Sequence, residues 1–230
     1  MVDVSSLTIM IIPLAWAAAV SPVVLSVFLV MMSMLDDPKL PGFSFYLGAM
    51  VILLLTVFVG IFLGHKLNAA GAGDSTTIAA IDIFLGAILV LFGIRNFRET
   101  SKSSNLLKYL KVDPQAGNFS KFRKYFILGF IAFLTNFSTV IFLLAAGRTI
   151  GIASAGFSAD FVAILVLALI TLLVIEIPLL FFLLFPKMAK TVTKPVDEWI
   201  SNHSNIVTGV FCVGIGLLII YNGLNKMGIM

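Results

Sequence analysis

The chain has 230 residues, 60% of them hydrophobic and 11% charged, with a formal net charge of +4. Soluble domains run nearer ~45–50% apolar and ~25% charged, so this balance excludes an ordinary cytosolic enzyme, a disordered chain and a disulfide-rich secreted module. A single cysteine, Cys212, excludes an intramolecular disulfide, a cysteine-based zinc site and a dithiol relay within the chain.

A bilayer-spanning helix takes ~20 mostly apolar residues, because each adds ~1.5 Å across a core of ~30 Å. Six stretches meet that need. Residues 7–35 are 29 positions without a charge, and 42–64 are 23 more. Residues 76–94 contain Asp82, 125–147 are uncharged, 161–186 contain Glu176, and 204–225 are uncharged. Barrel strands would alternate over ~10 residues instead of staying apolar for twenty. The expected fold class is an all-α integral membrane protein with six transmembrane helices. The first stretch does not read as a cleaved signal peptide: only Asp3 is charged before it, and it exceeds an h-region of ~7–15 residues.

Lys and Arg set the orientation. On the side of both termini stand Lys66, Arg148 and Lys226; on the other stand 12 cations, eight of them within 95–124. Both termini are therefore expected outside. The basic segment does not read as a nucleic-acid arm. It lies just cytoplasmic of two helices, where anionic headgroups attract each cation by ~1 kcal/mol. Residues 106–111 and 194–204 are expected as short interfacial helices, the second with Pro195 in its first turn and Trp199 in the headgroup layer.

The basic loop divides the chain into a first three-helix repeat (1–98), the loop itself (99–123) and a second three-helix repeat (124–230). Three is odd, so the second half enters the membrane from the opposite face. That is the arithmetic of an inverted repeat. The leading helix of each half carries a polar cluster near its middle: Ser21, Pro22 and Ser26 in one, Thr135, Asn136, Ser138 and Thr139 in the other. Pro22 removes a backbone donor and clashes with the carbonyl four residues back. In lipid such a break is tolerated only inside protein or beside a water-filled cavity. Paired breaks at matching depth point to a substrate site, so these seven residues are the substrate-binding candidates, with helix packing as the plain alternative. Broken or kinked first and fourth helices are expected.

Glu176 is the one acid deep in a span. Ionised and unpaired there it would cost at least ~2.5–3.5 kcal/mol, which makes it a candidate proton carrier, or else a protonated acid bonded to a neighbouring helix. Pro178, two residues on, is expected to break the helix and widen a polar pocket. Asp82, Arg148 and Asp160 read as interfacial, and Gly60 and Gly64 as packing positions. His65 and His203 lack partners at ligand spacing, so no metal and no cofactor are expected. No nucleophile, zinc or phosphate-loop motif is present, and the chain is not expected to be an enzyme.

The order of these segments resembles a known family. Ser-Pro stands at the centre of the first helix, GFSFYLG (42–48) opens the second, IDIFLGAILVLFGIRNFR (81–98) closes the half, FLTNFSTVIFLLAAG (133–147) and EIPLLFFLLF (176–185) follow, and KPVDEWISNHSNIV (194–207) enters the last helix. The chain resembles the GAP family, the sulfolipid- or peptidoglycolipid-addressing proteins of the lysine-exporter (LysE) superfamily. The resemblance implies six helices, export of small or amphipathic molecules, and assistance to glycolipid delivery across the envelope. One departure is Asn136-Phe137 where members commonly carry Asn-Pro, which implies a milder second break. Thiol–disulfide carriers of the same superfamily place a reactive cysteine in each half; Ser21 and Asn136 stand in the comparable places here, so that chemistry is not expected.

The expected function is a secondary transporter, an exporter of a small or amphipathic substrate, lipid-linked molecules included, through a midplane site between the two repeats, with Glu176 carrying a coupling proton. The alternatives are a non-transport membrane subunit for lipid delivery and an intramembrane enzyme using Glu176. The expected location is the plasma membrane of a prokaryotic cell, and the expected partners are membrane lipids and the substrate, not nucleic acid. Whether copies associate into a homo-oligomer stays open.

Overall fold

The computed structural model describes residues 4–35, 37–69, 75–98 and 117–228. Most of the basic loop, including the interfacial turn expected at 106–111, lies outside the described residues, as do the side chains of 190–205. Among the described residues there are eight helices and no strand: α1 (Val4–Ala19), α2 (Pro22–Ser33), α3 (Lys39–Ala69), α4 (Ser75–Arg98), α5 (Asn118–Leu134), α6 (Phe137–Ala153), α7 (Phe157–Leu184) and α8 (Pro186–Lys226). Lys39–Leu67, Phe157–Leu184 and Thr208–Asn225 are long and apolar enough to cross a membrane. The count becomes five if α1–α2 and α5–α6 are each one broken span. These segments make the chain a membrane protein.

The first break follows from two adjacent residues. Pro22 cannot donate a backbone hydrogen bond, and its ring suits the first turn of a new helix. Ser21 caps that helix, its Oγ accepting from the Val24 N–H at 3.4 Å. The axes of α1 and α2 differ by 53°. The second break needs no proline and, contrary to expectation, is the sharper of the two. Thr135 closes α5, Asn136 leads α6, and the two axes differ by 76°.

Pro178 does not break its helix, contrary to expectation. It sits inside α7, which continues to Leu184. The residue before Pro22 is a serine able to cap a fresh helix, whereas Ile177 before Pro178 has no capping group. One missing donor within 28 helical residues leaves the turns on either side intact. Residues 194–204 likewise form no separate interfacial piece: α8 starts at Pro186 and runs through them.

Water-driven burial supplies no force between helices in hydrocarbon, so close backbone approach and van der Waals contact must hold them. Glycines provide the approach. A Cβ on Gly48 of α3 would lie 2.0 Å from the Phe126 carbonyl oxygen of α5, and one on Gly147 of α6 would lie 2.4 Å from that of Val57. α3 therefore packs on α5 near its start and on α6 near its end, where Gly60 and Gly64 meet Leu144 and Arg148. α4 and α8 form an antiparallel pair, with Ala79, Gly86 and Gly93 facing Gly223, Gly216 and Gly209. α7 packs along α1, and α2 against α8. Phe28 of α2 meets Phe45 of α3 with ring centroids 5.2 Å apart. The exterior carries large apolar side chains such as Phe58, Phe62, Phe84, Leu91 and Leu217, as a surface facing lipid requires.

Candidate functional site: two helix breaks and a charged cavity

Pro22 leaves the carbonyl of Ala18, four residues back, without its helical partner. The missing donor comes from the other break. Thr139 Oγ1 donates to the Ala18 oxygen at 3.0 Å. Asn136 completes the junction. Its Nδ2 donates to Ser21 Oγ and, at 2.9 Å, to Thr139 Oγ1, while its Oδ1 accepts from Ser138 Oγ at 2.9 Å. A side-chain amide has two N–H donors and one carbonyl acceptor, and all are in use. Asn136 makes no cap bond to its own helix, because its side chain is committed across the interface. Ser21, Ser138 and Thr139 are each buried to within 2%. Cys212 of α8 is hydrogen-bonded to Ser138, so a third element reaches the junction.

The structure thus brings together Ser21, Asn136, Ser138 and Thr139 beside Pro22. Ser26 is buried on α2, one turn further on. Thr135 does not join them. It is exposed, and its hydroxyl turns back on the Ile131 carbonyl at 2.8 Å. As the residue closing α5, it satisfies an end carbonyl of its own helix. Glu176 is half-buried on α7 and accepts from Tyr46 Oη of α3 at 3.0 Å. Its partner is a phenol on a neighbouring helix.

Two residues read from the sequence as interfacial are not. α6 continues past Gly147 to Ala153, which carries Arg148 inside the helix bundle. There Arg148 Nη2 binds Asp82 Oδ1 of α4, and the two residues are only 8% and 5% exposed. An opposite charge in contact offsets part of the cost of burying either, and removing one partner would leave the other charge uncompensated. The pair lies at a cavity of about 400 Å³ between α1, α4, α6 and α8. Most of the lining is apolar, including Ile9, Pro13, Leu85, Ile215 and Leu218. Arg148 Nε and Nη1 have no hydrogen-bond partner. A buried donor left unpaired costs about 1–3 kcal/mol. The cavity and the junction share two helices. Leu14 lines the cavity one turn before Ala18, and Ala145 lines it six residues after Thr139.

A polytopic helical membrane protein with two interrupted helices, joined by a neutral polar network and flanked by a charged cavity, is the class these features define. The chain belongs to the family of Sap, the sulfolipid-1-addressing protein, which it matches over residues 11–225. Neither a curated protein nor a solved structure matches it.

Proposed function

We propose that the chain is a secondary transporter that exports an amphipathic, lipid-linked substrate across the plasma membrane of a prokaryotic cell, along a path between two inverted three-helix repeats. α1–α4 form one repeat and α5–α8 the other. Each bent pair counts as one span, and α4 is the sixth, its 24 residues reaching ~36 Å at ~1.5 Å each. Both termini stand outside, opposite the basic loop. The family's sulfolipid-addressing description supports a sulfated glycolipid as substrate.

The observation that carries the reading is the Thr139–Ala18 bond. A carbonyl freed in one half is satisfied by a hydroxyl from the break in the other half. Breaks of this kind let short helix segments tilt against each other while their exposed backbone groups keep a partner, which is how transporters of this plan build sites. An asymmetry supports it further. α2 packs on α8, whereas the corresponding contact of α6 with α4 is slight, and the cavity occupies that end. On this reading the chain is closed towards the basic side and open towards the side of its termini. Glu176, bonded to Tyr46, would exchange the coupling proton. No nucleotide-binding motif offers another drive.

The test is flux in proteoliposomes holding the purified chain and a fluorescent sulfated glycolipid. Movement that depends on an imposed pH gradient, and that falls when Asn136→Leu removes the junction, is the expected result. A wild-type chain that moves no lipid under any gradient, yet restores lipid delivery to a deletion strain, would replace transport with a subunit serving a lipid-handling complex.

A further inference from the structure

We propose that the cavity between α1, α4, α6 and α8 binds the oxyanion headgroup of an amphiphile, with Arg148 as the recognising residue and Asp82 as its fixed counter-ion. The identity of the ligand as cargo rests on the transport reading; the binding site stands or falls by itself. Arg148 Nη2 is held by Asp82, while the N–H groups on Nε and Nη1 have no partner. At 8% exposure Arg148 has little water to serve them. An arginine side chain has donors and no acceptor, so only an incoming acceptor can satisfy these N–H groups. The oxygens of an anionic headgroup, sulfate and phosphate among them, are acceptors that make strong charge-assisted bonds with such donors.

The surroundings select what the oxyanion is attached to. Asp82 neutralises Arg148, so a bare ion gains little long-range attraction and must rely on hydrogen bonds alone. The larger part of the lining is apolar, and Ile9, Met10 and Leu218 are more than half exposed at its mouth. A molecule with an oxyanion head and a hydrocarbon tail matches both parts. Its head meets the buried pair, and its tail lies along α1 and α8 towards lipid. Exposed Asn222 on the same lining adds a neutral polar group for whatever links head and tail.

Binding to the full chain, purified in dodecyl maltoside, is measured by calorimetry with octyl sulfate, octyl phosphate, sodium sulfate and octyl glucoside. The variants are Arg148→Lys, which keeps the charge and loses the planar set of donors, and the double variant Asp82→Asn/Arg148→Gln, which removes both charges at constant net charge. The wild-type chain is expected to bind octyl sulfate or octyl phosphate, and each variant to bind it at least about tenfold more weakly, the range of a hydrogen bond to a charged group. If Arg148→Lys does not fold, the double variant decides. Octyl sulfate binding to the double variant as tightly as to wild type would overturn the proposal, as would equal binding of octyl glucoside. Sodium sulfate binding as tightly as octyl sulfate would overturn the amphiphile and assign a free anion. A wild-type chain that binds octyl sulfate yet shows no flux counts against transport alone; intact flux in a double variant that still binds octyl sulfate counts against this site alone.

Discussion

The contact between the two breaks predicts a measurable coupling between Ser21 and Asn136. Asn136→Leu keeps the branching of the side chain and removes the bonds to Ser21, Thr139 and Ser138. Interhelical hydrogen bonds within membranes average ~0.6 kcal/mol, with a maximum near ~1.7. Three such bonds give a loss of about 2 kcal/mol. Ser21→Ala loses one of them together with the cap of α2, worth ~1 kcal/mol. The cap bond does not depend on Asn136, so in the Asn136→Leu background Ser21→Ala should cost only the cap. The difference between the two costs is the coupling, expected at about 0.6–1.7 kcal/mol. Unfolding by sodium dodecyl sulfate from bicelles, followed by circular dichroism on the four proteins of the cycle, reads it directly. A coupling indistinguishable from zero, with both single losses present, would mean that the two breaks stabilise the protein independently, and the junction would lose its meaning.

Three further outcomes follow. Gly147→Ala should destabilise by about 1–3 kcal/mol in the same assay, because its Cβ would press on the Val57 carbonyl, whereas Gly214→Ala, with nothing within 4 Å, should leave stability unchanged or slightly raised. Arg148→Gln leaves Asp82 buried without its cation and should cost about 3–5 kcal/mol, most of it recovered in Asp82→Asn/Arg148→Gln; a double variant as unstable as the single would refute the pairing. Glu176→Gln keeps an acceptor for Tyr46 but cannot ionise, so it should abolish the dependence of flux on an imposed pH gradient; unchanged pH-driven flux would remove proton coupling and leave transport standing.

The breaks were legible because their causes are local. A proline without a donor and a run of Asn, Ser and Thr stand out in helices that are otherwise apolar, and each acts on its own backbone. Pro178 shows where that legibility stops: the same residue type interrupts a helix only if the flanking sequence can start another, and Ile177 cannot. The pairing of Asp82 with Arg148 was illegible for a different cause. Each lies close to a predicted helix end, where an interfacial position costs little, and their meeting depends on how α4 and α6 approach. That approach is set by glycine contacts with α8 and α3, and buried helices carry little amphipathic period to announce it. The early end assigned to the fourth span has the same origin. The charge of Arg148 set that end, yet α6 runs on past it, with Gly147 and Gly151 as the surface on which it lies against Val57 and Ile61. Tyr46 was missed because a phenol in an apolar run carries no charge to mark it, although its acid, Glu176, stood out.

α6 is where these features meet. Its first turn is tied to α1 by the Thr139–Ala18 bond, its glycines rest on α3, and Arg148, nine residues and ~13.5 Å beyond Thr139, reaches α4. All three contacts fall on one helix of 17 residues. Whatever draws Arg148 away from Asp82 therefore also bears on the hydroxyl that completes the first break, and whatever closes that break shifts the guanidinium in the cavity. Neither site needs a signal relayed through the core, because a single helix belongs to both. The order of strength is set by chemistry. The junction is held by neutral bonds of well under 2 kcal/mol each, so it yields before the buried ion pair does. On the transport reading, α6 would pivot at Arg148, its first turn leaving α1 while the guanidinium turns in place against Asp82.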